Sequence, residues 1–292
     1  MAVALVAELF AIPFSSRRSL AIRSVVAEGE LAAALALGNN TFQVSVIAGY
    51  LAGAASLAIS PTLALRLNVF SFLVSAVVLR KMPRDNTGRS KRRARRERGK
   101  SILWSARKLR SVTIISALSV CMAMGLEALI VPLVLEGGTK TRSWSGVVIA
   151  LVPFATIVVS VVSTRSSDPK ANVRLAASFA IPLVLVAVVL SLVGTTLARA
   201  FAIAIAAGGA FAATTALSTM VFSRLPFNST AAVEFANYQA SVSIGQAFGA
   251  VGVGVLAEVR STWFAGSTAV TILAVLLVIL RVHTIEDGKD GL

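Results

Sequence analysis

Apolar residues in this chain come in long blocks separated by short polar or charged breaks. The blocks run approximately over 1–15, 33–58, 61–80, 111–135, 144–164, 174–194, 197–222, 231–257 and 261–281. Runs such as Ile181–Val193 and Thr268–Leu280 exceed what a water-soluble core requires. An α-helix needs about 20 residues to cross about 30 Å of hydrocarbon, and most blocks reach that length. Backbone in lipid must satisfy its own hydrogen bonds, so such blocks fold as helices. The pattern predicts an all-α, polytopic transmembrane helix bundle of about nine helices. Pro61 opens its block, where a missing N–H is harmless. Pro132, Pro153 and Pro182 fall inside blocks, where a bundle tolerates a kink.

One stretch returns. FQVSVIAGYLAGA, 42–54, comes back in register 196 positions later as YQASVSIGQAFGA, 238–250, with six identities in thirteen positions. Matches of Ala, Gly, Ser and Val are common in a chain this rich in them. The pair Gln43 and Gln239 is not, because the chain holds three glutamines. Ser45, Gly49 and Gly53 fall at i, i+4, i+8, as do Ser241, Gly245 and Gly249, so each trio lines one helix face. A groove of small residues lets a neighbouring helix come close in lipid. Both trios are therefore helix-packing candidates, either as a static contact or as a seam that slides in a conformational change. The two stretches lie in the second and eighth blocks. An even step means that both helices run the same way, a parallel repeat with a six-helix period.

Composition agrees with a membrane setting: 56% of the 292 residues are hydrophobic and 14% charged, with a mean hydropathy of +0.82. Soluble domains run nearer 45–50% and about 25%. One cysteine, Cys121, and one histidine, His283, allow no intrachain disulfide and no Ser-His-Asp, Cys-His or His-rich metal constellation. The sequence predicts a protein that is not an enzyme, with no cofactor and no metal site. No G-x-x-x-x-G-K-[ST] stretch occurs, which argues against a self-contained ATP-driven pump.

Charge sets an orientation. Of the 28 Lys and Arg residues, 14 lie between Arg80 and Arg110. If that loop is cytoplasmic and the helices alternate, the opposite side holds only five: Arg66, Lys140, Arg142, Arg199 and Arg260. The positive-inside rule expects such an imbalance. It predicts a multi-pass cell-membrane protein with the basic loop and C-terminus in the cytoplasm. The loop's core, RSKRRARRERGK, includes Arg92, Arg93, Arg95 and Arg96. It fixes topology and binds anionic lipid, at about 1 kcal/mol per basic residue near the surface. Nucleic acid is not expected here, and docking of a partner protein is the other reading. SILWSARKLR, 101–110, could lie as a short amphipathic helix with Trp104 at the interface. Arg66 and Arg199 sit a turn or two inside helix ends and can snorkel to the headgroups.

Few polar side chains fall at membrane depth. Glu127 lies seventeen residues after Arg110 and nine before Glu136. A carboxylate there costs several kcal/mol unless it protonates, pairs or faces water. It is a candidate for proton coupling or cation binding, with a hydrogen-bonded structural carboxyl as the alternative. Glu8, nine residues before Arg17, is a second such candidate. Gln43, Gln239 and Gln246 can hydrogen-bond across helices or meet a polar group of a substrate. So few polar groups point to an amphipathic or hydrophobic substrate.

The order of these segments resembles the major facilitator superfamily, whose plan is two times six helices around a basic central loop. RRSLAIRSVVAEGELAAALALGNNTFQ, 17–43, is similar to the junction of the fourth and fifth helices in bacterial drug-efflux members, and LRLNVFSFLVSAVVLRKMP, 65–83, to their sixth helix. The resemblance implies that 1–80 is the C-terminal part of a first six-helix half and 111–281 a second half. The basic loop 81–110 would join them, and 282–292 would be a cytoplasmic tail. It implies proton-coupled efflux of small amphipathic or drug-like molecules by alternating access, with Glu127 and Glu8 on cavity-lining helices. It also implies that three helices and part of a fourth would precede Met1. Two departures stand out. Antiporters of this superfamily often carry Gly-Pro in the fifth helix, and here Tyr50 follows Gly49. Their glycine- and basic-rich loop has only a degenerate echo in STRSSDPKANVR, 163–174, with Asp168 and Arg174 but no glycine. The alternative reading is a truncated, non-transporting membrane protein, or a scaffold that docks partners through its basic loop.

Overall fold

The computed structural model describes residues 22, 26, 30–60, 62, 66, 69, 70, 73, 74, 77, 107–138, 144–164, 166, 168–225 and 231–289. Among them lie seven helices: α1 (Leu31–Ile59), α2 (Arg107–Glu136), α3 (Ser145–Ser163), α4 (Pro169–Val193), α5 (Thr196–Arg224), α6 (Ala231–Val259) and α7 (Thr262–Lys289). Six of these, α2 to α7, contain stretches long and apolar enough to cross a membrane. The protein is an all-helical, multi-pass membrane bundle. The sequence predicts nine helices, and the described residues hold seven. Block 1–15 lies outside them. Block 61–80 is described only at Thr62, Arg66, Val69, Phe70, Leu73, Val74 and Val77, all helical.

Local chemistry moves several helix ends away from the hydropathy boundaries. α4 begins five residues before the apolar block at 174, because Asp168 caps it. Its carboxylate accepts from the backbone N–H groups of Lys170 (2.9 Å) and Ala171 (3.3 Å), with Pro169 in the first turn. An N-cap and a proline at this position start a helix whatever the polarity of the next residues. α7 runs on to Lys289, through residues that read as a tail, since a formed helix propagates through polar positions that contain no proline. α2 begins at Arg107 and so takes in the end of the expected interfacial helix 101–110; Trp104 lies outside the described residues. It ends at Glu136 and turns at Gly138, where φ is +89°, a conformation that favours glycine.

α5 is the central post, packed against α2, α3 and α4. Its adjacent glycines face different neighbours. A β-carbon on Gly208 would overlap the Val152 carbonyl oxygen of α3, and one on Gly209 would lie 3.3 Å from the Ala180 Cα of α4. Thr156 Oγ1 of α3 donates to Val152 O (2.9 Å) and Gly208 O (3.0 Å), so even this tight crossing has its hydroxyl satisfied. α6 lies along α2, α7 spans α2 and α4, and α1 packs on α3. Leu185, Val186, Val189 and Leu192 of α4 remain more than half exposed, as side chains facing lipid would be.

Candidate functional site

Between α1, α2, α3, α5 and α6 lies a cavity of about 620 Å³. Two of its walls come from the internal repeat. Asn39, Gln43, Val46 and Tyr50 of α1 line it, and so do Phe235, Gln239, Val242 and Gln246 of α6. Each set falls at i, i+4, i+7, i+11, one face of a helix, and each residue of the first lies 196 positions before its counterpart in the second. All three glutamines of the chain thus border one space. Phe42, Met124 and Phe211 give it apolar and aromatic surface. Among the described lining residues Glu127 is the only acid, and no base is present.

Glu127 reaches the cavity from α2 and is half-buried. The hydroxyl of Tyr50 on α1 donates to its Oε1 at 2.9 Å. A hydrogen bond to a carboxylate is worth about 1.5–3 kcal/mol and offsets part of the cost of holding the charge at this depth. Asn39 Nδ2 is buried and has no hydrogen-bond partner among the described residues, leaving a donor beside the cavity.

The Ser-Gly-Gly face of α6 lies about a quarter-turn round the helix from its cavity face. There Gly245 and Gly249 abut the backbone of α2. β-Carbons on them would overlap the carbonyl oxygens of Ala117 and Cys121. Gly125 of α2 meets the Val253 side chain in the same seam. This contact holds α6 so that Gln239, Val242 and Gln246 point inward. Ser241 bonds back to Asn237 O (3.0 Å). On α1 the matching trio has different surroundings. Among the described residues, no atom lies within 4 Å of where a β-carbon on Gly49 or Gly53 would sit, and Ser45, exposed, bonds back to Thr41 O (3.1 Å).

The structure therefore brings Glu127, Gln43 and Gln239 to one cavity. Glu8, Arg92, Arg93, Arg95, Arg96 and Trp104 lie outside the described residues. Asp168 serves as the α4 cap, with Arg174 4.0 Å from its carboxylate at the surface. Arg66 is exposed and Arg199 half-buried. In the sequence Tyr50 stands out only as the residue that follows Gly49, where a Gly-Pro pair would have its proline. Its role as partner to Glu127 depends on two helices 77 positions apart meeting, and no spacing in the sequence encodes that.

Fold and site together define a multi-pass helical membrane protein with one acid, among the described residues, in a cavity of mixed polar and apolar lining between related helices. No protein-family model matches the sequence, and no curated protein matches it either.

Proposed function

We propose that the chain is a secondary-active transporter of the major facilitator type, moving small amphipathic molecules out of the cell in exchange for protons. The observation that carries this reading is the cavity itself, which the repeated faces of α1 and α6 line together with Glu127. A parallel repeat whose two copies flank a central site suits alternating access, in which one half rocks against the other about the bound molecule. The mixed lining suits an amphipathic substrate: Phe42, Met124 and Phe211 its apolar part, the hydroxyls of α5 and the carboxamides of Gln43, Gln239 and Gln246 its polar groups, and Glu127 a transferable proton. The cell membrane is the expected location, with the basic loop and C-terminus in the cytoplasm, the loop resting on anionic lipid.

The test is transport in proteoliposomes with an imposed pH gradient and a panel of fluorescent amphipathic dyes. Glu127→Gln is expected to abolish proton-driven dye movement while expression and folding are kept. Undiminished proton-linked movement in that variant would rule out the coupling role. If the unaltered protein moves none of the dyes and deletion of 86–99 abolishes its cellular function, the scaffold reading replaces this one.

A further inference from the structure

α1 and α2 border the same cavity but do not pack along each other. A direct link between them is the hydrogen bond from the Tyr50 hydroxyl to Glu127 Oε1, 2.9 Å long. The main supports of the two helices differ: α1 rests chiefly on α3, where Gly146 abuts the Ala54 side chain, and α2 is clasped by α6 at Gly245 and Gly249, while α3 and α5 touch both. We propose that Tyr50 is a positioning residue whose phenol, bound to Glu127, latches α1 to α2 and holds this side of the cavity closed until Glu127 takes up a proton. The proposal rests on the transporter reading and adds the contact through which the proton acts.

The chemistry is that of a charge-assisted bond. A phenol donating to a carboxylate makes a hydrogen bond roughly twice as strong as one to a neutral acceptor. Protonation removes that advantage, and the carboxyl gains an O–H that can turn to another acceptor. Between helices with no packed interface, losing one strong bond changes the balance between closed and open arrangements directly. The other elements around Glu127 do not compete for this role. Among the described lining residues α3, α5 and α6 contribute no acid or base, and α7, packed on another face of α2, has no ionisable residue before Arg281.

The latch is tested without any substrate. The full chain, with Cys121→Ser, is labelled with nitroxides at Ala55→Cys on α1 and Leu135→Cys on α2, both exposed positions. It is placed in lipid nanodiscs, and the distance between the labels is followed by pulsed electron paramagnetic resonance from mildly alkaline to mildly acidic pH. A narrow distance distribution at high pH should broaden as one proton binds. Tyr50→Phe should show the broad distribution at every pH, and Glu127→Gln should lose the pH dependence. If Tyr50→Phe retains both the narrow distance and the transition, or if Glu127→Gln retains the transition, the latch is refuted. Dye transport measured separately on Glu127→Gln shows whether the transporter reading fails with it or stands.

Discussion

The chain has two tyrosines, and both tie helices together through their hydroxyls. Tyr238 is completely buried in α6, with its oxygen 2.7 Å from Ser116 Oγ of α2 and 3.0 Å from Ser218 Oγ of α5. Its ring lies 6.0 Å from that of Phe235, which in turn packs on Phe222. Replacing it with phenylalanine keeps the apolar volume but takes the hydroxyl partner from buried Ser116, while Ser218 keeps its bond to Thr214 O (2.9 Å). Tyr238→Phe is expected to lower stability by about 1–3 kcal/mol, seen as a fall in melting temperature in detergent. An unchanged melting curve would contradict that account. Phe42, the counterpart 196 positions earlier, is more than half exposed and has no hydroxyl to place. The repeat thus preserves an aromatic position while its two copies do different work.

Among elements, the same divergence separates two glycine faces that are nearly identical in sequence. Gly249 sits against the Cys121 carbonyl, so Gly249→Leu must push α6 off α2 and tilt Gln239 and Gln246 away from the cavity. A β-carbon at Gly49 meets nothing within 4 Å among the described residues, and Gly49 is exposed. The expected outcome is a large loss of monodisperse, folded protein for Gly249→Leu and near-normal yield for Gly49→Leu, read by size-exclusion chromatography of solubilised membranes. Equal behaviour of the two would mean that the α2–α6 seam is not what positions α6. The i, i+4, i+8 spacing was readable as a packing face in both copies. Which copy has a neighbour was not, because occupancy belongs to the other helix.

For the whole molecule, orientation rests on the excess of Lys and Arg in 80–110 and on the alternation of helices. Single cysteines introduced as Arg95→Cys and Lys140→Cys, with Cys121→Ser, should differ in labelling by a membrane-impermeant maleimide. Lys140→Cys is expected to react in intact cells, and Arg95→Cys only after permeabilisation. The reverse pattern would invert the topology and with it the direction assigned to transport.

The amino-acid sequence by itself determined the helical class, the membrane setting, the approximate bounds of the six spans α2 to α7 and the repeat, since these follow from the solvent that each segment requires and from periodicity along one chain. It also singled out Glu127, Gln43 and Gln239, because polar groups are rare at that depth. Hydropathy placed the start of α4 late, because a cap formed by Asp168 and Pro169 is local chemistry that an apolar average does not register. Only the tertiary structure decided that the faces at Asn39–Tyr50 and Phe235–Gln246 look into one cavity, and that Tyr50 meets Glu127. Periodicity states which residues share a face of a helix. What that face meets is set by the packing of helices far apart in the chain, and for α6 that packing is carbonyl oxygens seated against glycines.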